Sequence, residues 1–231
     1  MFPIRDDAPK LTVPFVTWLL ITANVAVFIY QVWLGFGSGR EQQAFLASFS
    51  LVPSHVGAAL VGDWPLAAGL VPILTSMFLH GGWMHLLGNV WFLGIFGDNV
   101  EDELGHGVYL LFYLACGVIA GIAQFISDPG STIPMVGASG AIAGVMGAYL
   151  IRFPRARVTV WIPIFLVVGP TVALPAFLML SYWLAIQVLS GWGAAGQGGV
   201  AWWAHVGGFV AGVGLVLLRP RRRVWHRTWR R

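Results

Sequence analysis

Six apolar stretches, approximately 13–34, 69–96, 108–126, 136–151, 174–189 and 200–218, contain no Asp or Glu. Lipid offers no hydrogen bonds, so a segment that crosses it must satisfy its own backbone, which a helix does. A spanning helix needs about 20 apolar residues. Composition points the same way: 58% of the 231 residues are hydrophobic and 10% charged, against roughly 45–50% and 25% in soluble domains. A soluble core could not hide that much apolar surface. The expected fold is therefore an all-α membrane protein, a bundle of six transmembrane helices. The fourth and fifth stretches are short, which suits helices surrounded by other helices.

The segments between them divide the chain into a cytoplasmic amino-terminal piece (1–12), a membrane domain (13–218) and a basic cytoplasmic tail (219–231). The start, MFPIRDDAPK, meets charges before any apolar run, so the first stretch reads as a retained helix and not a cleaved signal. Six spans place both termini on one side. The pieces then facing the cytoplasm are the amino terminus, 97–107, 152–157 and the tail, and they hold 12 of the 13 Lys and Arg residues, all but Arg40. That asymmetry predicts the cytoplasmic side, with the plasma membrane as the expected location. A basic, Trp-bearing tail next to a membrane helix fits anionic headgroups better than nucleic acid. The first loop, 35–68, reads as a loop on the membrane surface. Segment 158–172, interrupted by Pro163 and Pro170, reads as an extended or interfacial approach to the fifth helix. The single Cys116 excludes a disulfide framework and a cysteine-based metal site.

Polar side chains inside a membrane are expensive, so each is a functional candidate. Here they are His80, His85, Asn89, Gln124, Ser139, Gln187 and His205. Ser139 follows Pro134 and Gly137 and is flanked by Gly140, at the expected start of the fourth helix. Unpaired N–H groups and the helix dipole favour negative charge there. Taken alone, the same position suits a helix-capping serine. His205 lies beside Ala204, Gly208 and Gly212, a small-residue face, and the fourth helix has its own at Gly140, Gly144 and Ala148. Such faces let helices approach closely, which would bring a base to a serine that needs one. His85 and Asn89 are four apart on one helix face; both can donate to an oxyanion, or serve as interhelical hydrogen bonds.

Together these windows resemble the rhomboid family of intramembrane serine proteases. Its serine motif appears as Gly137-Ala138-Ser139-Gly140, its histidine motif as Ala204-His205-Val206-Gly207-Gly208 onward to Gly212, and its second-helix motif as His80, His85 and Asn89. The resemblance runs from Val13 to Leu218 in matching order. It implies Ser139 as nucleophile, His205 as general base, and an oxyanion hole from Asn89, His85 and the Ser139 backbone N–H. It implies no metal and no cofactor, with transmembrane proteins as substrates, cleaved near the outer face of the bilayer among membrane lipids. Two departures stand out. Many relatives carry an aromatic residue four after the serine, where this chain has Ala143. The ring of His205 would then need another support, such as Phe209 or Trp202. The Trp-Arg pair found in the first loop of some relatives is also absent.

Other chemistries fit less well. There is no His-Glu-x-x-His for a zinc peptidase, and no helix-interior Asp for an aspartyl dyad. A zinc site of His80, His85 and His205 would leave Ser139 and Asn89 without a role. Transport would predict internal repeats. The alternative that remains is an inactive rhomboid-like protein that binds membrane clients.

Overall fold

The computed structural model describes residues 2–163, 169–193 and 199–221. Residues 222–231, most of the tail expected to bind headgroups, and residues 164–168 of the expected extended segment lie outside them. Helices α1 (Phe15–Leu34), α6 (His106–Ser127) and α8 (Ala176–Gly193) are each long and apolar enough to cross a membrane. A fourth candidate is a bent pair, α4 (Leu66–Thr75) with the turn Ser76–Phe78, then α5 (Trp83–Leu104), the two arms meeting at 75°. Helix α9 (Trp202–Leu217) is shorter and apolar. The chain is a mostly helical integral membrane protein.

Helix α7 (Ser139–Arg152) occupies the middle. Its 14 residues rise only ~21 Å at 1.5 Å each, and every residue from Gly140 to Tyr149 is buried. A helix sheathed by protein need not match the bilayer. Its main partner is α9, and the contact is backbone on backbone. A Cβ at Gly208 would collide with the Gly140 carbonyl, and one at Gly212 with the Gly144 carbonyl. Small residues thus set the α7–α9 separation, as they do between close-packed membrane helices.

Four features differ from the sequence-based expectation. The protein is not all-α: β1 (Phe2–Asp6), β2 (Arg157–Trp161) and β3 (Thr171–Pro175) form an antiparallel sheet in the order β1-β2-β3. It lies beyond the Arg152 end of α7, away from Ser139. Residues 158–161 and 171–172 are extended as expected, but their partner is the amino-terminal strand, a long-range pairing that no local pattern encodes. Second, stretch 69–96 is not one helix. Gly81 and Gly82 are weak helix formers, and the Gln31 side chain of α1 takes over the backbone of His80, donating to its carbonyl at 2.6 Å and accepting from its N–H at 3.3 Å. Third, 35–68, expected as a loop on the membrane surface, holds α2 (Arg40–Phe49), α3 (Pro53–Val61) and the first residues of α4.

Fourth, 97–107, expected as a cytoplasmic piece between two apolar stretches, is helical but for Gly105. Helix α5 runs on to Leu104, and α6 starts at His106 after Gly105, whose φ is +81°. Asp98, Glu101, Asp102 and Glu103 are buried; the amino-terminal segment satisfies the first three, and Arg152 Nε lies 3.4 Å from Glu103. Asp102 accepts from the backbone of Leu11 at 2.7 Å and of Thr12 at 3.0 Å. Lys10 Nζ lies 2.5 Å from Asp98. Asn99 donates to the Pro9 carbonyl at 3.2 Å, and Glu101 holds the start of α1. Buried carboxylates persist only with such partners.

Candidate active site

Ser139 is the first residue of α7, so the N–H groups of its turn have no helical acceptor behind them. The chain enters it through Gly137, whose φ of +123° favours glycine and whose N–H donates to the Ser76 carbonyl at 2.8 Å. The approach is pinned from the side. Leu51 and Met135 exchange backbone hydrogen bonds of 3.1 and 2.7 Å, and Ser54 N–H donates to the Ser131 carbonyl at 3.0 Å. The region expected to be a surface loop therefore braces the serine turn.

His205 stands one turn into α9. Its Nε2 lies 2.7 Å from Ser139 Oγ, inside hydrogen-bond range for a nucleophile and its base. The close α7–α9 packing makes this distance possible. Gln124 of α6 steadies the start of α9, its Oε1 accepting from the Ala204 N–H at 3.2 Å. The support for the ring comes from α8, which the sequence reading did not single out for this purpose. Trp183 lies 5.8 Å from the His205 ring centroid at 36°, and Gln187 Oε1 lies 2.7 Å from His205 Nδ1. Trp202 contributes an edge at 6.3 Å. Phe209 does not meet the imidazole directly but stacks behind Trp183 at 6.1 Å. Spacing of four between Trp183 and Gln187 was available as a signal, since such residues share a helix face. What they face was not.

On the opposite wall are His85 and Asn89 of α5. The Gly81 N–H donates to His85 Nδ1 at 3.3 Å, so Nε2 is the nitrogen that carries the proton. The Nε2–Cε1 edge of the ring faces Gly137: a Cβ there would lie 2.6 Å from Nε2 and 3.6 Å from Asn89 Nδ2. Asn89 is buried, and its Nδ2 has no hydrogen-bond partner among the described residues. Two donors thus converge beside the serine turn. The His80 ring is buried behind them, 5.2 Å from the His85 ring and edge-on to Phe28 at 6.2 Å; it braces His85 from behind. Ser139, His205, Trp183, His85 and Asn89 line a cavity of about 720 Å³ that also takes in Met77, Gly117, Gln124, Met146 and Trp202.

A base on a serine, with donors facing it in a cavity within a helical membrane bundle, is a hydrolase-type arrangement. Comparison with known proteins gives the lineage. Residues 67–222 match the Rhomboid domain, more than half of the chain, and the protein belongs to the rhomboid family. It is similar to the rhomboid protease GluP of Bacillus subtilis, 34% identical over 59% of this chain and 24% of that protein. It is similar to the putative rhomboid protease YdcA of the same organism, 38% identical over 34% of this chain and 39% of that one. The human mitochondrial presenilin-associated rhomboid-like protein is 26% identical over 67% of this chain and 42% of its own length. The chain spans less than half the length of each of these relatives.

Proposed function

We propose that this protein is an intramembrane serine endopeptidase that cleaves membrane-anchored proteins with a Ser139–His205 dyad. The observation that carries the reading is the 2.7 Å approach of His205 Nε2 to Ser139 Oγ at a helix N-terminus. In the proposed reaction, Nε2 accepts the Ser139 proton as Oγ attacks the scissile carbonyl carbon. The carbonyl oxygen, now an oxyanion, takes hydrogen bonds from His85 Nε2–H, Asn89 Nδ2–H and the Ser139 backbone N–H. His205 then gives its proton to the leaving amine, leaving an acyl-serine that water hydrolyses by the same steps in reverse roles. No carboxylate, metal or cofactor takes part.

The proposed setting is a six-span membrane domain over 13–218, formed by α1, the α4–α5 pair, α6, α7, α8 and α9. The asymmetry of basic residues supports a topology with both termini and the β-sheet on the cytoplasmic side, with 1–12 and the tail from Arg219 flanking the domain there. Ser139, at the other end of α7, then lies toward the outer leaflet of the plasma membrane. Transmembrane proteins are the substrates, and lipids are the surrounding partners.

Labelling with a fluorophosphonate tests the nucleophile directly. Covalent modification is expected at Ser139 in wild type, none in Ser139→Ala, and strongly reduced modification in His205→Ala. Equal labelling of all three would remove the basis of the reading.

A further inference from the structure

Gln187 lies on α8, away from the serine turn and the oxyanion wall, yet it is the group bonded to the far nitrogen of His205. Its amide has a defined sense. Nε2 donates to the Trp183 carbonyl one turn back, at 3.3 Å, which turns Oε1 toward the imidazole. An amide oxygen only accepts. The nitrogen 2.7 Å from it, His205 Nδ1, must therefore carry the proton, which leaves Nε2 bare to accept from Ser139. Gln187 is buried, so water does not compete for that bond, and Trp183 fixes the ring plane from the same helix.

We infer that Gln187 is a positioning residue that sets the tautomer and orientation of His205, so that the dyad is competent only while α8 is docked against α9. The inference rests on the serine-protease reading above. Gln187 with Trp183 supplies from α8 the ring support that Ala143 on the helix of the serine cannot give. It also makes α8 a control element. In α8, 22% of the candidate span is buried inside the protein, against 33% in α1 and α6. A shift of α8 toward lipid would remove the Nδ1 acceptor and the Trp183 face in one movement. The imidazole could then turn or take the other tautomer, with Nε2–H aimed at the serine and no base available.

The test is kinetic and uses the full chain in liposomes with a membrane-anchored reporter. Gln187→Met keeps length and apolar packing but offers Nδ1 no comparable acceptor. Gln187→Glu keeps an oxygen acceptor at the same reach. Gln187→Met is expected to lower kcat roughly 10–100-fold, a part of the roughly 10²–10⁴ that a positioned base contributes in full, with KM within about twofold of wild type. Gln187→Glu is expected to restore kcat to within about tenfold of wild type. Gln187→Ala repeats the comparison should the Met variant fold poorly, as judged by its melting temperature in detergent. A Met variant with wild-type kcat overturns the proposal, as does a loss in KM alone or a Glu variant no faster than the Met variant. Ser139→Ala in the same assay separates the two claims. If it cleaves like wild type, the protease reading fails. If it is inactive while Gln187→Met is fully active, only the role of Gln187 fails.

Discussion

Glu101, near the end of α5, caps the start of α1. Its carboxylate accepts from the N–H of Val16 at 2.8 Å, the N–H of Thr17 at 2.7 Å and the Thr17 hydroxyl at 2.7 Å. Helix α1 follows Pro14 and has no capping side chain of its own, so a residue about 85 positions away takes that role. The negative charge also complements the positive end of the helix dipole. His106 closes the site, its Nδ1 2.6 Å from the same carboxylate.

Glu101→Ala is expected to cost about 2–4 kcal/mol, the scale of losing a cap and several charge-assisted hydrogen bonds together. Glu101→Gln should cost less, because one oxygen acceptor remains. Equilibrium unfolding in mixed micelles measures both. Equal stability of the Ala variant and wild type would show that the carboxylate is not what holds α1.

The α7–α9 contact has no room for a methyl group. Gly212→Ala drives a Cβ into the Gly144 carbonyl, an overpacking expected to cost about 1–3 kcal/mol. Because the two helices carry Ser139 and His205, the variant should also lose at least tenfold in fluorophosphonate labelling rate, on the order of one lost alignment. Gly214→Ala is the control: a Cβ there meets nothing within 4 Å, and labelling should be unchanged.

Gly137→Ala tests the oxyanion wall. The added Cβ would sit 2.6 Å from His85 Nε2, on a backbone of φ +123° that side chains rarely adopt. Reporter cleavage should fall by ~10²–10³, the effect of losing one oxyanion donor, whereas KM should move little. A variant that folds and turns over at the wild-type rate would argue against His85 as a donor.

The amino-terminal strand carries a pH dependence. Asp6 receives the Tyr149 hydroxyl, but burial disfavours its charged form and pushes its pKa from 3.8 up to about 6. A carboxyl whose folded pKa is raised contributes stability that is full below its unfolded value and is lost as pH climbs through its folded value. Wild type should therefore lose melting temperature between about pH 4 and pH 6, the interval from the unfolded to the folded pKa. Asp6→Asn, which cannot ionise, should lose much less across the same interval. Parallel pH profiles for the two proteins would contradict this account of β1.

The apolar segments and the site were legible for different reasons. Long uncharged runs are local, and they marked α1, α6, α7, α8 and α9 to within a few residues. Ser139, His205, His85 and Asn89 announced themselves as polar residues in short motifs, and the structure gathers all four around one cavity. What stayed hidden was long-range. Nothing near Phe2–Asp6 says that it will pair with Arg157–Trp161. That the acidic run at 98–103 would be buried was hidden, because its partners, Lys10 to Thr17, lie about 85–91 positions earlier. Gln187 was visible as a polar residue in an apolar run, but its meaning depends on how α8 is rotated against α9.

The Ser139–His205 dyad is tested most directly by cleavage of a membrane-anchored reporter by purified protein in liposomes. Wild type is expected to release one defined fragment. Ser139→Ala and His205→Ala should each reduce the rate by at least ~10³, as loss of either member of a catalytic pair does. Fragment release by Ser139→Ala at the wild-type rate would contradict the dyad outright.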